Sequence, residues 1–486
     1  MTDPVVVAGG GIAGIAAAVA LAERRVPVVL VEPQAQLGGR VRAWPVTHGD
    51  DQVTMSRGFH AFFRQYYNLR ALLRRADPAL EQLRPVEDYP LVLADGHADS
   101  FAKIPLTPPL NMAAFVAQSP SFAVRDLAQV DVPAALELLD VQFPETFSAY
   151  DGESAAAFLD RLRFPSGARH LALEVFARSF FAPPQEFSAG ELVGMFHTYF
   201  LGSAEGLLFD VPRDDYDTSL WAPLAAYLSQ LGVTVRTGES VSGLALTDDG
   251  VRVELGGDRV AASAVVLATD PATARSLLLD SGLGDGDASW RSRVTCWQTA
   301  PPFAVWRLWL DRMVDAGRPP FLGTSGFGPL DNVTVLERFE AGADRWSREQ
   351  GGSVVELHAY ALPEPVDEQA VRARLRSKLD TVYPELAGAV IVADEWLLSK
   401  DCPLSSPAPW LDRLTVGTPD RRVVLAGDGI RCDYPVALME RAATTGFLAA
   451  NQLLAELGVV GHDLWTVPMQ SRHLLPGRVR RKLVRH

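Results

Sequence analysis

Cysteine is scarce in this chain. There are three in 486 residues, Cys296, Cys402 and Cys432, and no C-x-x-C or Cys/His spacing connects them. That excludes a zinc site of the usual pattern and a disulfide framework, no metal site is expected, and the usage suits a reducing compartment. Cations are outnumbered too: 45 Lys and Arg stand against 59 Asp and Glu, for a net charge of −14 at pH 7. So acidic a balance argues against nucleic acid as a partner. Long unbroken apolar runs are also missing. Pro4–Ala22 is uncharged but interrupted by Gly9, Gly10 and Gly11, and Ile104–Val124 holds Pro105, Pro108, Pro109 and Pro120. Neither reads as a spanning helix, and no export signal is expected. There is no internal repeat and no low-complexity tract. What remains is an ordinary globular composition, 48% hydrophobic and 21% charged, with length for more than one domain.

The chain opens on a β-branched run, Val5–Ala8, that stops at glycine. An Ala-rich helical stretch, Ile12–Glu23, follows, and then a second apolar run over 26–31 that ends at Glu32. Fully apolar strands around a helix predict a parallel sheet buried on both faces. Gly9-x-Gly11-x-x-Gly14 sits at the first strand-to-helix turn, and Glu32 closes the second strand 18 residues after Gly14. Gly9 permits the tight turn, Gly11 lets the backbone approach a pyrophosphate, and Gly14 lets helix and strand pack closely. The helix start offers free N–H groups and the positive dipole end to phosphates. A carboxylate at Glu32 accepts ribose hydroxyls and repels a 2′-phosphate. The plain alternative is a Gly-rich turn without a ligand; strand, helix and acid in register weigh against it. The ligand is then a dinucleotide other than NADP, either NAD or FAD.

Further along, 57–75 is aromatic and basic, and 76–210 reads as mostly helical and proline-rich. Short alternating runs surround turns at Asp249-Gly250 and Gly256-Gly257, and Phe303–Leu310 with 332–339 and 353–360 look like strands of a separate, larger sheet. A last buried strand at 423–426 precedes Gly427-Asp428-Gly429 and a long helix from about 435 to 457. This order predicts a discontinuous dinucleotide domain over 1–75, 211–290 and 400–457, a second domain over 76–210 and 291–399, and a tail over 458–486. After Asp463 there is no acid, while Arg472, Arg478, Arg480, Arg481, Lys482 and Arg485 supply six cations.

Gly38-Gly39-Arg40, directly after the second strand, resembles the FAD-binding amine-oxidase and carotenoid-desaturase superfamily, in which it touches the pyrophosphate and flavin side. The resemblance selects FAD over NAD. Val424-Leu425-Ala426-Gly427-Asp428 is similar to that superfamily's second FAD motif, whose Asp binds near the ribityl chain and pyrophosphate. The run from Arg57-Gly58-Phe59-His60 through Phe62-Phe63 to Tyr66-Tyr67-Asn68 resembles the G-[LF]-H-x-F-F…Y-x-N motif of carotenoid desaturases, which leads past the flavin ring. Met439-Glu440-Arg441-Ala442 resembles the M-E-G-A of plant-type desaturases, with Arg441 where that motif has glycine. Val241 opens the strand after which adenine commonly sits in the superfamily, through backbone contact. The run 323–332, with Glu337-Arg338-Phe339 and 354–360, looks like the desaturase/methyltransferase branch, the carotenoid φ-ring (isorenieratene-type) synthases.

The resemblance implies an α/β fold, a Rossmann-like FAD-binding domain of the GR2 flavoprotein type with an inserted mixed-sheet and helical substrate domain. It implies non-covalent FAD held at Gly9, Gly11, Gly14, Glu32, Gly39, Arg40, Gly58, Val241, Gly427, Asp428 and Met439. The implied reaction is aromatisation of a β-ionone end ring of a β-carotene-like carotenoid, by two two-electron oxidations and a 1,2-methyl shift. His60 and Glu440, each beside an expected flavin contact, are the candidate proton acceptors; the plain alternatives are a backbone hydrogen bond for His60 and a helix cap for Glu440. Trp306 and Trp309 would line an apolar tunnel or simply fill a core. The rivals are a flavin oxidase of the same fold acting on an amine or on an acyclic carotene such as phytoene, and a non-redox flavin-dependent carotenoid isomerase or binder. Re-oxidation implies an electron acceptor, a quinone or another, that no motif identifies. Because carotenes are insoluble in water, a cytoplasmic, peripherally membrane-bound protein is expected. It would use Ile104–Val124, flanked by Lys103 and Arg125, and the basic tail 472–486.

Overall fold

A computed structural model describes residues 3–49, 51–102, 104–118, 130–163 and 180–472. Five parallel strands form one sheet in the order Thr234–Thr237, Val28–Glu32, Val5–Ala8, Ala264–Leu267, Val423–Leu425. Only one of its neighbour pairs, Val5–Ala8 with Val28–Glu32, is joined by a short crossover; the other neighbours are far apart along the chain. The crossover helix Ile12–Glu23 is buried along its whole length apart from Glu23. A helix that is apolar all round has to be covered on every side, and its small side chains permit that. The long helix Leu438–Glu456 crosses it so closely that a Cβ on Gly446 would stand 2.3 Å from the Ala13 carbonyl oxygen.

A second sheet has seven strands, in the order Ile391–Ser399, Phe303–Leu310, Val354–Ala359, Asn332–Val335, Phe321–Ser325, Leu91–Leu93, Ala98–Asp99. All pairings are antiparallel except Phe321–Ser325 with Leu91–Leu93. The helix Glu368–Val382 covers one face, burying Val371, Leu375 and Leu379 against Leu308, Val333 and Leu357. The region expected to be mostly helical therefore supplies two strands to this sheet, and a third, Leu83–Pro85, pairs with Phe209–Pro212. Pieces of two or three residues are too short to show a period of two, and they become strands only because a distant edge is waiting.

Trp306 and Trp309 are core. Trp306 packs under the Glu368–Val382 helix and donates its indole N–H to Asp394 at 2.8 Å, while Trp309 fills a cluster with Leu336, Trp346 and Val354. Both are held in side-chain clusters, and neither is among the residues that line the cavity between the two sheets. Of the uncharged stretch 104–124, Leu110–Gln118 is a helix with Leu110 exposed, and 119–124 lies outside the described residues, as does the tail from 473 onward. Among the described residues no helix is long and apolar enough to cross a membrane.

Candidate functional site

One cavity of about 600 Å³ runs from the parallel sheet to the face of the second sheet. At its first end the backbone does most of the shaping. Gly9 turns with φ +106°, and a Cβ there would lie 2.5 Å from the Ala268 carbonyl oxygen. Gly14 sits against Gly9 so tightly that its Cβ would come within 1.8 Å of the Gly9 oxygen, so its task is packing and it does not reach the cavity. Gly11 is different: a Cβ there meets nothing closer than Gly39 Cα at 3.7 Å, and at Gly427 nothing lies within 4 Å. These two open glycines, both on the cavity wall, are where a large polar ligand would meet bare backbone.

Glu32 is 5% exposed, at the end of its strand. Its Oε2 accepts from the Gly10 N–H at 2.7 Å and its Oε1 from the Gln34 N–H at 3.0 Å. Burial pushes its pKa up, while those two N–H groups and Arg42 pull the other way. The carboxylate is thus held still, and each oxygen keeps acceptor capacity for a hydroxyl. Arg40 and Asp428, from motifs 388 residues apart, form an ion pair on the cavity wall beside Gly39 and Gly427. Val241 and Met439 also line the cavity. So does Trp297, whose indole N–H is buried without a partner. Open glycines, a fixed carboxylate and an orphaned donor on one wall fit FAD.

Gly58 stands at φ +100°, where a Cβ would strike His358 Cε1 at 2.5 Å; it shapes the loop and is not itself on the wall. Its carbonyl accepts from Tyr216 Oη at 2.9 Å and from His60 Nδ1 at 2.8 Å. A carbonyl only accepts, so the His60 proton sits on Nδ1 and Nε2 keeps its lone pair. Burial pushes the His60 pKa down to about 4, against the pull of the Gly58 carbonyl, so the ring is neutral. His60 lines the cavity.

Glu440 does not. It is 2% exposed, and its two oxygens accept from the Asn68 and Leu69 N–H groups at 2.8 and 2.9 Å, capping the start of the helix Tyr67–Leu73. Burial pushes its pKa up to about 8, opposed by those N–H groups. The candidate acid–base residue is thus placed as a cap on a neighbouring helix. Arg441, the departure from the M-E-G-A glycine, also points away from the cavity: it is bidentate to Glu191 at 2.8 and 2.7 Å and donates to the Val436 carbonyl at 2.9 Å. Burial pushes the Glu191 carboxyl up, but Arg441 and Arg413 prevail and hold it down to about 2.

The far end of the cavity is aromatic. Phe63 meets Tyr199 and Phe209, Tyr89 stacks on Phe101, and Phe101 on Phe115. The Tyr66 and Tyr199 hydroxyls bond to each other at 2.5 Å. Only Phe63 and Tyr66 lie within a motif legible in the sequence. Of the remaining wall residues, His358 and Tyr360 alternate at the end of one strand of the second sheet, Asn332 comes from its neighbour, and the signal in the sequence was that 332 and 354–360 fall in the stretches resembling the φ-ring branch.

Comparison with known proteins agrees with this geometry. The model of the family described as flavin containing amine oxidoreductase matches residues 12–454. A carotenoid φ-ring synthase from Streptomyces griseus is 53% identical over 479 residues, covering 96% of this chain and 91% of that protein. One from Chlorobaculum tepidum is 26% identical, covering 96% and 90%. Among solved structures, cyclohexylamine oxidase from Brevibacterium oxydans superposes with a TM-score of 0.66 at 16% identity, covering 94% of this chain and 100% of that one. That likeness shows a shared fold.

Proposed function

The chain belongs to the flavin-containing amine oxidoreductases and, within them, with the carotenoid φ-ring synthases, and from that premise we propose that it aromatises a β-ionone end ring of a β-carotene-like substrate with 1,2-methyl migration. The observation that carries the reading to this site is one continuous cavity, lined by the glycine-motif residues and Glu32 at one end and by aromatic side chains at the other. It supports a flavin and a hydrocarbon ring meeting without bulk water between them.

FAD, when bound, supplies the two-electron acceptor for a hydride from an allylic ring carbon. In this proposal Gly9, Gly11, Glu32, Gly39, Arg40, Val241, Gly427, Asp428 and Met439 hold it, while Gly14 and Gly58 keep the backbone in shape. The resulting ring cation is delocalised into the polyene, a methyl group moves to the neighbouring carbon, and proton loss restores a double bond. His60 Nε2, unprotonated and on the wall, accepts a ring proton; a pKa near 4 still exceeds that of a carbocation's β-hydrogen by a wide margin. Glu440 serves by fixing the helix that carries Asn68.

The division into an FAD domain over 1–75, 211–290 and 400–457 and a substrate domain over 76–210 and 291–399 is part of the proposal. All five strands of the parallel sheet fall in the first set and all seven of the second sheet in the other. So is contact with a bilayer: Leu106 and Leu110 are 44% and 59% exposed around the helix that brings Phe115 to the aromatic cluster. The test is expression in cells that make β-carotene, followed by mass and absorbance analysis of the pigment. A pigment lacking four hydrogens per converted ring supports the reading. Unaltered β-carotene beside desaturated acyclic carotenes would replace it with a phytoene-type desaturase.

A further inference from the structure

The strand Val354–Ala359 carries acid–base groups at alternate positions, Glu356, His358 and, one residue past its end, Tyr360, so all three share a face. Arg307 lies directly opposite Glu356 in register and donates to its Oε2 from Nε at 3.0 Å and Nη2 at 2.7 Å. Arg307 is 1% exposed and Glu356 fully buried. Burial pushes the Glu356 carboxyl up, but Arg307 and His358 outweigh it and hold it down to about 2, so the group is ionised and accepts only.

That settles the hydrogens along the chain. Glu356 Oε1 stands 2.9 Å from His358 Nε2, so Nε2 carries a proton, and in the neutral ring Nδ1 keeps the lone pair. The Phe59 N–H also faces Nε2 but at 3.4 Å, too long to compete with a carboxylate. With the ring neutral, Tyr360 Oη, 2.5 Å from His358 Nδ1, is the donor of that bond. Asn332 Nδ2 donates to Tyr360 Oη at 3.1 Å, and the Asn332 Oδ1 is buried without a partner. Tyr360, His358 and Asn332 all line the cavity. His60 offers no such path, since its Nδ1–H ends on a carbonyl that cannot take a proton onward.

We propose that Tyr360 is a second proton acceptor of the reaction, with His358 taking its hydroxyl proton inward and Glu356 holding His358 in place. The inference rests on the φ-ring reading. Converting a β-ring to a φ-ring removes four ring hydrogens, two as hydride and two as protons, so two protons must be received. In the step assigned here a C–H bond of the ring cation breaks and its electron pair closes the new ring double bond. The proton goes to Tyr360 Oη as the tyrosine's own proton passes to His358 Nδ1. The imidazolium so formed is neutralised by Glu356. No electrons leave the ring in this step, and the proton returns through Tyr360 to the cavity when product departs.

Two variants of the full-length flavoprotein test it. Tyr360→Phe keeps the ring that meets Phe181 at 4.8 Å and removes only the oxygen. His358→Gln still accepts from Tyr360 and donates to Glu356 but cannot carry a proton. Flavin absorbance, β-carotene binding in micelles and the mass of the ring product are read for each. Both variants are expected to retain flavin and bind substrate while arene formation falls about 100-fold, the lower end of what a placed general base contributes. If His358→Gln keeps near-normal turnover while Tyr360→Phe does not, the pair only positions and the relay is wrong. Normal turnover in Tyr360→Phe overturns the proposal outright. A wild-type protein that leaves β-carotene untouched removes the φ-ring reading and this inference together, whereas active wild type with active variants removes this inference alone.

Discussion

The two ends of the cavity are built by different means. The dinucleotide end is shaped by backbone: Gly9, Gly11 and Gly14 act through the atoms they lack, and Glu32 is aimed by its own strand. The aromatic end is shaped by side chains drawn from segments as far apart as Phe63, Tyr199 and Phe321, none aimed by its neighbours in sequence. A site made of backbone needs residues at fixed spacing, whereas a site made of side chains needs only that the fold bring them together.

The contrast can be broken at its tightest point. Gly14→Val should yield no flavin-containing protein, because even the first added carbon would sit 1.8 Å from the Gly9 oxygen and backbone cannot step aside. Gly11→Val, whose Cβ has open space, should fold yet purify with little flavin. Equal behaviour of the two, read by solubility and the flavin absorbance, would erase the distinction between a packing glycine and a ligand-facing one.

Arg441→Ala comes next, and it probes the arginine that stands where the M-E-G-A motif it resembles has glycine. Removing one partner from a buried ion pair costs about 3–5 kcal/mol, measurable by urea unfolding. The sign with pH follows from Glu191, whose folded pKa of about 2 lies below its ordinary 4.5. Its contribution is present above about 4.5 and is lost as pH falls toward 2. The variant should therefore lose most stability at neutral pH and show a weaker acid dependence between those values. A loss that is the same at pH 7 and pH 2 would mean that the ion pair is not what Arg441 contributes.

Glu32→Ala should weaken FAD retention by about 1.5–3 kcal/mol, the worth of hydrogen bonds to a charged group. Dialysis followed by flavin fluorescence reads it, and unchanged retention would remove the ribose role. The smallest effect concerns the exposed surface near the aromatic end. Leu110→Asp should change folding stability by no more than about 0.5 kcal/mol while reducing flotation with anionic liposomes. Undiminished flotation would separate the helix Leu110–Gln118 from membrane contact.

These contrasts also mark how far the sequence could be read. Val5–Glu32 was legible because every element in it is local: strand, turn, helix and acid lie within reach of one another along the chain. His60 was legible as a wall residue because its motif is contiguous, and Glu440 was not, since whether a carboxylate faces a cavity or caps the helix at Tyr67–Leu73 depends on a contact 372 residues away. Trp306 and Trp309 alternate with nothing that says which face of their strand is covered.

By itself the sequence determined the parallel-sheet start, the dinucleotide turn and the families it resembles, because glycine spacing and apolar runs act over a few residues, on the backbone each one belongs to. Only the tertiary structure decided that Arg40 meets Asp428, that Arg441 is balanced by Glu191, and that Tyr360, His358 and Glu356 stand in one line against Arg307. The physical reason is the same in each case. A charge or a hydroxyl acquires its protonation state and its direction from whatever is packed against it, and the packing partners here come from other strands and helices.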